Sequence, residues 1–235
     1  MKLPHPFRIE RHGEVDSTND IIAMRAAGGE PEGLMVTATA QRCGRGRQGR
    51  SWTSPSGNLY CSLLLRPRPS HGSHPATLSL AVALSLAEAI GDPARLKWPN
   101  DVLIGGAKVA GILLEMEGGA LTVGMGVNIV SAPTDTPYPA TSLSAHGVDL
   151  NGDMLVEAFL HRFSPNYAIW SNEGFRALRD RWIDRAEGIG GLIRVRLGDE
   201  IHSGRFLALS CDGSITVERE GRIEQYNAGE LLWPL

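Results

Sequence analysis

The chain has 235 residues, 42% of them apolar and 21% charged, with a formal net charge of −3. That length builds one large domain, or a large one with a small one, around a sizeable core. The composition excludes disordered, collagenous and coiled-coil classes, and the slightly acidic balance disfavours a general nucleic-acid coat.

Residues 7 to 16 predict a strand. Asp16-Ser17-Thr18-Asn19-Asp20 then opens a helix, with Ser17 and Asp20 close to a capping box, and the helix runs through IIAMRAA to Gly28-Gly29. LMVTATAQ (34–41) predicts a second strand, and LYCSLLLRP (59–67) a third that ends at Pro67. The RPRPSHGSHP loop leads into an apolar helix over 76–90, too short for the ~20 residues a bilayer requires. RLKW, DVLI, KVAGILLEM and ALTVGMGVNIV follow as a meander. Gly105-Gly106 and Gly118-Gly119 supply its two-residue turns, which require antiparallel pairing. A Pro-rich loop covers 131–145. Two helices fit 152–171 and 173–186, the first expected to kink or break at Pro165 and the second burying Phe175, Leu178 and Trp182.

From Gly188 the texture turns to short β-rich pieces between Gly turns, which predicts a small β-barrel docked on its neighbour. The expected division is therefore 1–187 and 188–235, in an α+β protein whose mixed, largely antiparallel sheet is flanked by helices. Cys43, Cys61 and Cys211 form no CxxC pair, and the N-terminus lacks the apolar stretch of a signal peptide. A reducing cytoplasm is expected, with no membrane association.

Gly44-Arg45-Gly46-Arg47-Gln48-Gly49 matches GxGxxG but is not a dinucleotide fingerprint. No helix former follows, and residues 64–75 hold none of the acids a ribose contact needs. What remains is Arg42, Arg45, Arg47 and Arg50 within nine residues, without an acid. Guanidiniums so placed repel one another, and the empty loop is expected to be mobile until an anion orders it. Trp52 adds a flat face for a base or a guanidinium. Read from the residues alone, the loop binds a small anionic ligand, binds nucleic acid, or is inert.

Of the 23 basic residues only Lys2, Lys97 and Lys108 are lysines, and two of the three fall in KWPNDVLIGGAK. Pro99 places Asn100 and Asp101 on a turn, where Asp101 is either a structural carboxylate or a holder of phosphate-bound Mg²⁺. Lys108 shares a strand face with Ala110 and Ile112, as an edge gatekeeper or as a charge aimed at a ligand. Gly111 in mid-strand marks a close approach to the backbone.

An STN helix start, QRCGRGRQGRSW, KWPNDVLIGGAKVAGIL and GMGVNI occur in that order over residues 14 to 130, with ATSL at 140–143. This set resembles the biotin protein ligase family. The resemblance implies a class II synthetase-like, biotin/lipoate ligase catalytic domain with a small SH3-like C-terminal barrel. It implies that biotin and ATP form biotinyl-5′-adenylate and pyrophosphate, and that the biotinyl group passes to a lysine of a carboxylase biotin carrier domain. By motif, Ser17, Thr18, Asn19, Gln41, Arg45, Gly46, Arg47, Lys108 and Gly111 would contact biotin. Arg45, Arg47, Trp52, Asn100 and Asn128 would contact ATP, Asp101 would hold Mg²⁺, and Arg47 and Lys108 would carry the catalysis. Only 16 residues precede Ser17, too few for the winged helix-turn-helix of bifunctional members, so no DNA binding is expected. The resemblance also implies a homodimer through the exposed edge of the central sheet. His71, His74 and Cys43 receive no role. Lipoate or octanoate ligases share the fold, and a nucleic-acid module or a biotin-binding regulator without turnover are the other rivals.

Overall fold

The computed structural model describes residues 2–67 and 75–232. Most of the RPRPSHGSHP loop, with His71 and His74, therefore lies outside the described residues. Strands β1 (Arg8–Val15), β2 (Leu34–Gln41), β3 (Leu59–Leu65), β4 (Ala94–Lys97), β5 (Asp101–Ile104), β6 (Ala107–Glu117) and β7 (Ala120–Val127) form one sheet in the order β1-β2-β3-β7-β6-β5-β4. The meander from β4 to β7 is antiparallel, as the two-residue turns dictate. β1 and β2 instead pair in parallel, because helix α1 (Thr18–Ala27) carries the chain back between them.

Period-2 alternation assigns the two faces of this sheet different tasks. All seven residues of β3 are buried. Leu59, Cys61, Leu63 and Leu65 join the main core beneath helix α2 (Leu78–Ile90) and helix α3 (Gly152–Glu173). Leu64 faces the other way, into a smaller cluster with Ile22 of α1 and Val36 of β2, and Ser62 reaches the start of α1. The same division holds in β7, where Leu121, Val123, Met125 and Val127 enter the main core. Gly124 and Gly126 are left on the α1 side.

Three local expectations change. Ser17 sits at the N-cap of α1 in extended backbone but makes no side-chain capping bond, so the capping box does not form. Helix α3 runs unbroken through Pro165. The segment 173–186 divides into a 3₁₀ turn at Phe175–Ala177 and a short helix α4 (Arg179–Ile183), with Phe175, Leu178 and Trp182 buried as expected.

The C-terminal strands β8 (Leu192–Leu197), β9 (Glu200–Leu209), β10 (Ile215–Arg219), β11 (Arg222–Tyr226) and β12 (Glu230–Leu232) form an antiparallel sheet in the order β11-β10-β9-β8-β12. Among the described residues no ladder joins β11 to β12. The expected closed barrel is thus an open sheet, because three-residue β12 is used on the β8 edge. Among the described residues no helix is long and apolar enough to cross a membrane.

Candidate active site

The cleft lies on the α1 face of the large sheet and has a glycine floor. Gly111 and Gly126 sit opposite each other across β6 and β7, and the Trp52 indole rests on both. A Cβ on Gly126 would stand 2.4 Å from Trp52 Nε1, and one on Gly124 would stand 2.4 Å from Asn19 Oδ1. Bare backbone is therefore what lets these two side chains lie down on the sheet.

One end of the cleft is polar, neutral and buried. Ser17, Thr18 and Asn19 are only 3%, 3% and 6% exposed. Thr18 donates to Gln41 Oε1 from its backbone N–H at 2.9 Å and from Oγ1 at 3.1 Å, and Gln41 Nε2 donates to Ser54 Oγ at 3.2 Å. Ser62 Oγ donates to Asn19 Oδ1 at 2.5 Å, and Asn19 Nδ2 donates to Glu115 Oε2 at 2.6 Å. Buried amides and hydroxyls held in such a chain form a rigid set of donors and acceptors suited to a neutral polar ring.

The other end is cationic. Lys108 Nζ lies 2.7 Å from Asp101 Oδ1, and both side chains are about 15% exposed (14% and 15%). Arg47 Nη1 donates to Asn100 Oδ1 at 3.1 Å and approaches the Gly229 carbonyl at 3.4 Å. Lys97 lines the same wall, 8% exposed. Burial draws the pKa of both Arg47 and Lys97 down, with Asp101 opposing the shift. An anion placed here would stabilise the charged forms of both side chains against the cost of their burial.

The arginine loop does not begin with a helix: Arg47–Gly49 is one 3₁₀ turn, with Gln48 left-handed at φ 58°. Its mutual repulsion is offset by carboxylates from outside the loop. Arg42 pairs with Asp16 and Glu14, Arg45 with Asp20 and Glu115, and Arg50 with Glu230 at 2.7 Å. Gly46 N–H donates to the Arg50 carbonyl at 2.7 Å and closes the turn.

Most of the expected site residues thus meet in one cleft: Ser17, Thr18, Asn19, Gln41, Arg45, Gly46, Arg47, Trp52, Asn100, Asp101, Lys108 and Gly111 all line it. Asn128 does not. It is buried beside the cleft, where Nδ2 donates to the Thr141 carbonyl at 3.1 Å. Among the described residues no three His, Cys, Asp or Glu side chains cluster as a metal site, so Asp101 stands as a single carboxylate paired with Lys108. Sequence reasoning missed Glu115, Tyr138 and Glu230, and it gave Lys97 no role. Glu115 was findable, since positions 111, 113 and 115 share a strand face. Glu230 carries no local signal, being 180 residues from Arg50.

Burial pushes the Glu115 and Glu230 carboxyls up, but hydrogen bonds from Arg45 and Asn19 to Glu115, and from Arg50 to Glu230, outweigh it and leave both below the usual range. Their folded values lie under their unfolded ones, so this stabilisation is complete above the ordinary carboxyl value of 4.5 and fades as pH falls through the lowered ones. The expected result is a melting temperature that drops on acidification below about pH 4.5. The drop should be visibly shallower in a Glu115→Gln/Glu230→Gln double variant. Parallel melting curves for the two proteins would remove the assignment.

A neutral polar nest continuous with a cationic rim, on a mixed sheet with a glycine floor, forms one cleft whose two ends suit a small molecule with a polar head and an acidic tail. A family model described as the Biotin/lipoate A/B protein ligase family matches residues 14–129. The chain is 37% identical to a biotin–[acetyl-CoA-carboxylase] ligase of Paracoccus denitrificans, covering 93% of this chain and 97% of that one. It is 34% identical to the bifunctional ligase/repressor BirA of Bacillus subtilis, covering 92% of this chain and 71% of the relative. A biotin protein ligase from Aquifex aeolicus, solved in complex with biotin and ATP, superposes with a TM-score of 0.85 at 30% identity, covering 96% of this chain and 97% of that one. The chain belongs to the biotin protein ligase family.

Proposed function

We propose that this protein joins the biotin carboxylate to the α-phosphate of ATP, releasing pyrophosphate, and then passes the biotinyl group to a lysine of a biotin carboxyl-carrier domain. The observation that carries the reading is the polarity of the cleft. Ser17, Thr18, Asn19 and Gln41 suit the ureido ring, while Arg47, Lys97 and Lys108 converge where two anions must meet.

In the first step a biotin carboxylate oxygen forms a bond to the α-phosphorus, the bond to the bridging oxygen breaks, and pyrophosphate leaves with the electron pair. Both reactants are negative, so catalysis is mostly alignment and charge neutralisation. Lys108 would bridge the biotin carboxyl and α-phosphate oxygens, and Arg47, closest to the reacting groups, would share the developing charge. Lys97 and Arg50 are placed for the leaving phosphates, and Trp52 for the adenine. A Mg²⁺ ion bound with the nucleotide would supply neutralisation of phosphate charge. Asp101, on the cleft wall, would hold that ion, consistent with the one or two carboxylates that such nucleotide sites use. In the second step the acceptor amine attacks the acyl carbon and AMP departs.

Other parts of the reading are a catalytic unit over 1–187, a small unit over 188–235 that reaches the cleft through Glu230, and a cytoplasmic setting. All three cysteines are free thiols, which suits a reducing compartment. A homodimer through the exposed edge of the central sheet completes it. The test is ATP–pyrophosphate exchange with biotin, lipoate, octanoate or no acid. Exchange with biotin alone supports the proposal. Exchange with lipoate or octanoate replaces the substrate, and none with any acid removes the ligase reading.

A further inference from the structure

The segment 131–145 has no assigned part in the reaction, yet it is bolted to Lys108. The Lys108 backbone N–H donates to the Pro139 carbonyl at 2.8 Å, and Thr141 N–H donates to the Lys108 carbonyl at 2.9 Å. These two bonds frame a parallel bridge between Lys108 and Ala140. β7 ends at Val127, which is registered against Ala110, so this segment takes over where β7 stops alongside β6. The backbone around Tyr138 is therefore tied directly to that of Lys108.

Tyr138 is held stiffly as well. Pro137 and Pro139 bracket it, and a residue before proline is confined to extended backbone. Thr136 Oγ1 donates to the Tyr138 carbonyl at 2.5 Å. The ring, half-buried, lines the cleft with its centroid 5.1 Å from Lys108 Nζ. From the glycine floor the Trp52 ring lies 5.4 Å from the same nitrogen. Lys108 is thus gripped by two aromatic rings and one carboxylate, Asp101. Rings at this distance attract an ammonium and restrict where a flexible four-carbon stem carries it.

We propose that Tyr138 is a positioning residue. Its ring is the outer half of an aromatic clamp, with Trp52, that fixes the Lys108 ammonium over the reacting atoms and covers the acyl-adenylate between the two steps. This rests on the ligase reading above, because it takes Lys108 to face the carboxyl and phosphate oxygens. The ring does the work and not the hydroxyl, so phenylalanine is expected to substitute and an aliphatic side chain is not. Without the ring, Lys108 samples other positions and water reaches the mixed anhydride.

The experiment compares parent, Tyr138→Leu and Tyr138→Phe full-length proteins in two assays. One is ATP–pyrophosphate exchange with biotin, and the other is AMP release from biotin and ATP with no acceptor present, which reads hydrolysis of the intermediate. Tyr138→Leu is expected to lower the exchange kcat about tenfold, a typical cation–π contribution, with biotin KM within about twofold, and to raise acceptor-free AMP release relative to exchange. Tyr138→Phe should recover at least half of the parental values in both assays. A Leu variant that matches the parent overturns the clamp, and so does a Phe variant as impaired as the Leu one. If the Leu variant does not fold, Tyr138→Gln takes its place under the same criteria. A parent without biotin-dependent exchange removes the ligase reading itself, which separates that failure from failure of the clamp.

Discussion

Lys108→Met is expected to lower the rate of biotin-dependent pyrophosphate exchange by about 10²–10³-fold, the usual cost of removing one preorganised donor from a developing charge. Methionine retains most of the stem and loses the ammonium. Biotin affinity should change far less, because the neutral nest around Thr18, Asn19 and Gln41 lies at the other end of the cleft. The variant also strips Asp101 of its ion-pair partner at 2.7 Å, leaving an enclosed carboxylate with only the Arg47 and Lys97 charges to offset it. Lys108→Met/Asp101→Asn separates the two effects. The double variant should regain thermal stability and no activity. Lys108→Arg should not rescue, since a planar guanidinium presents its charge in a different geometry from a compact ammonium. Isotope exchange and calorimetric titration with biotin check this. A kcat within threefold of the parent would remove Lys108 from the reaction.

The second large effect is expected from a residue with no side chain. Gly126→Val places a Cβ where Trp52 Nε1 and Cε2 stand 2.4 Å away, inside any tolerable contact. β7 is locked between β3 and β6 by continuous ladders, so it cannot retreat. Trp52 must, and it takes with it the loop that closes back on Gly44. Loss of biotin and nucleotide binding of about 100-fold follows, near 2.7 kcal/mol. The main core on the far side of the sheet is untouched, and the change in melting temperature should stay within a few degrees. Gly126→Ala combined with Trp52→Ala tests the cause. If the clash is what matters, the added alanine at 126 is silent once Trp52 is gone. A Gly126→Val protein that binds biotin normally would show that the indole does not need this floor.

How far the sequence reaches depends on the range of the physics involved. Turn chemistry and period-2 patterning are local, and the meander through Gly105-Gly106 and Gly118-Gly119 was legible for that reason. Pairing across a crossover is not local, so the parallel β1–β2 ladder was not legible. Pro165 does not break α3, because a helix packed against the core tolerates one missing hydrogen bond. In the cleft, the clustering of cationic residues in two segments marked one end, and Ser17-Thr18-Asn19 marked the other. Of the carboxylates that balance the arginines, Glu230 was invisible at 180 residues from Arg50, while Glu115, 70 residues from Arg45, was marked only by the strand face it shares with Gly111. The bond from Asn128 Nδ2 to the Thr141 carbonyl was equally invisible, because the segment that carries Thr141 has no regular secondary structure to predict.

The Arg50–Glu230 pair has a further consequence for the order in which this molecule comes apart. A contact spanning 180 residues gains nothing from local chain closure, and both of its partners sit on exposed or short elements. The seven-stranded sheet is held by long ladders and an apolar core, whereas the rim of the cleft is held by a few ion pairs and a three-residue strand. Sub-global opening begins in such thinly supported regions. In mild denaturant the rim should therefore fray while the sheet is still intact, and catalytic competence has a lower ceiling than the fold that carries it.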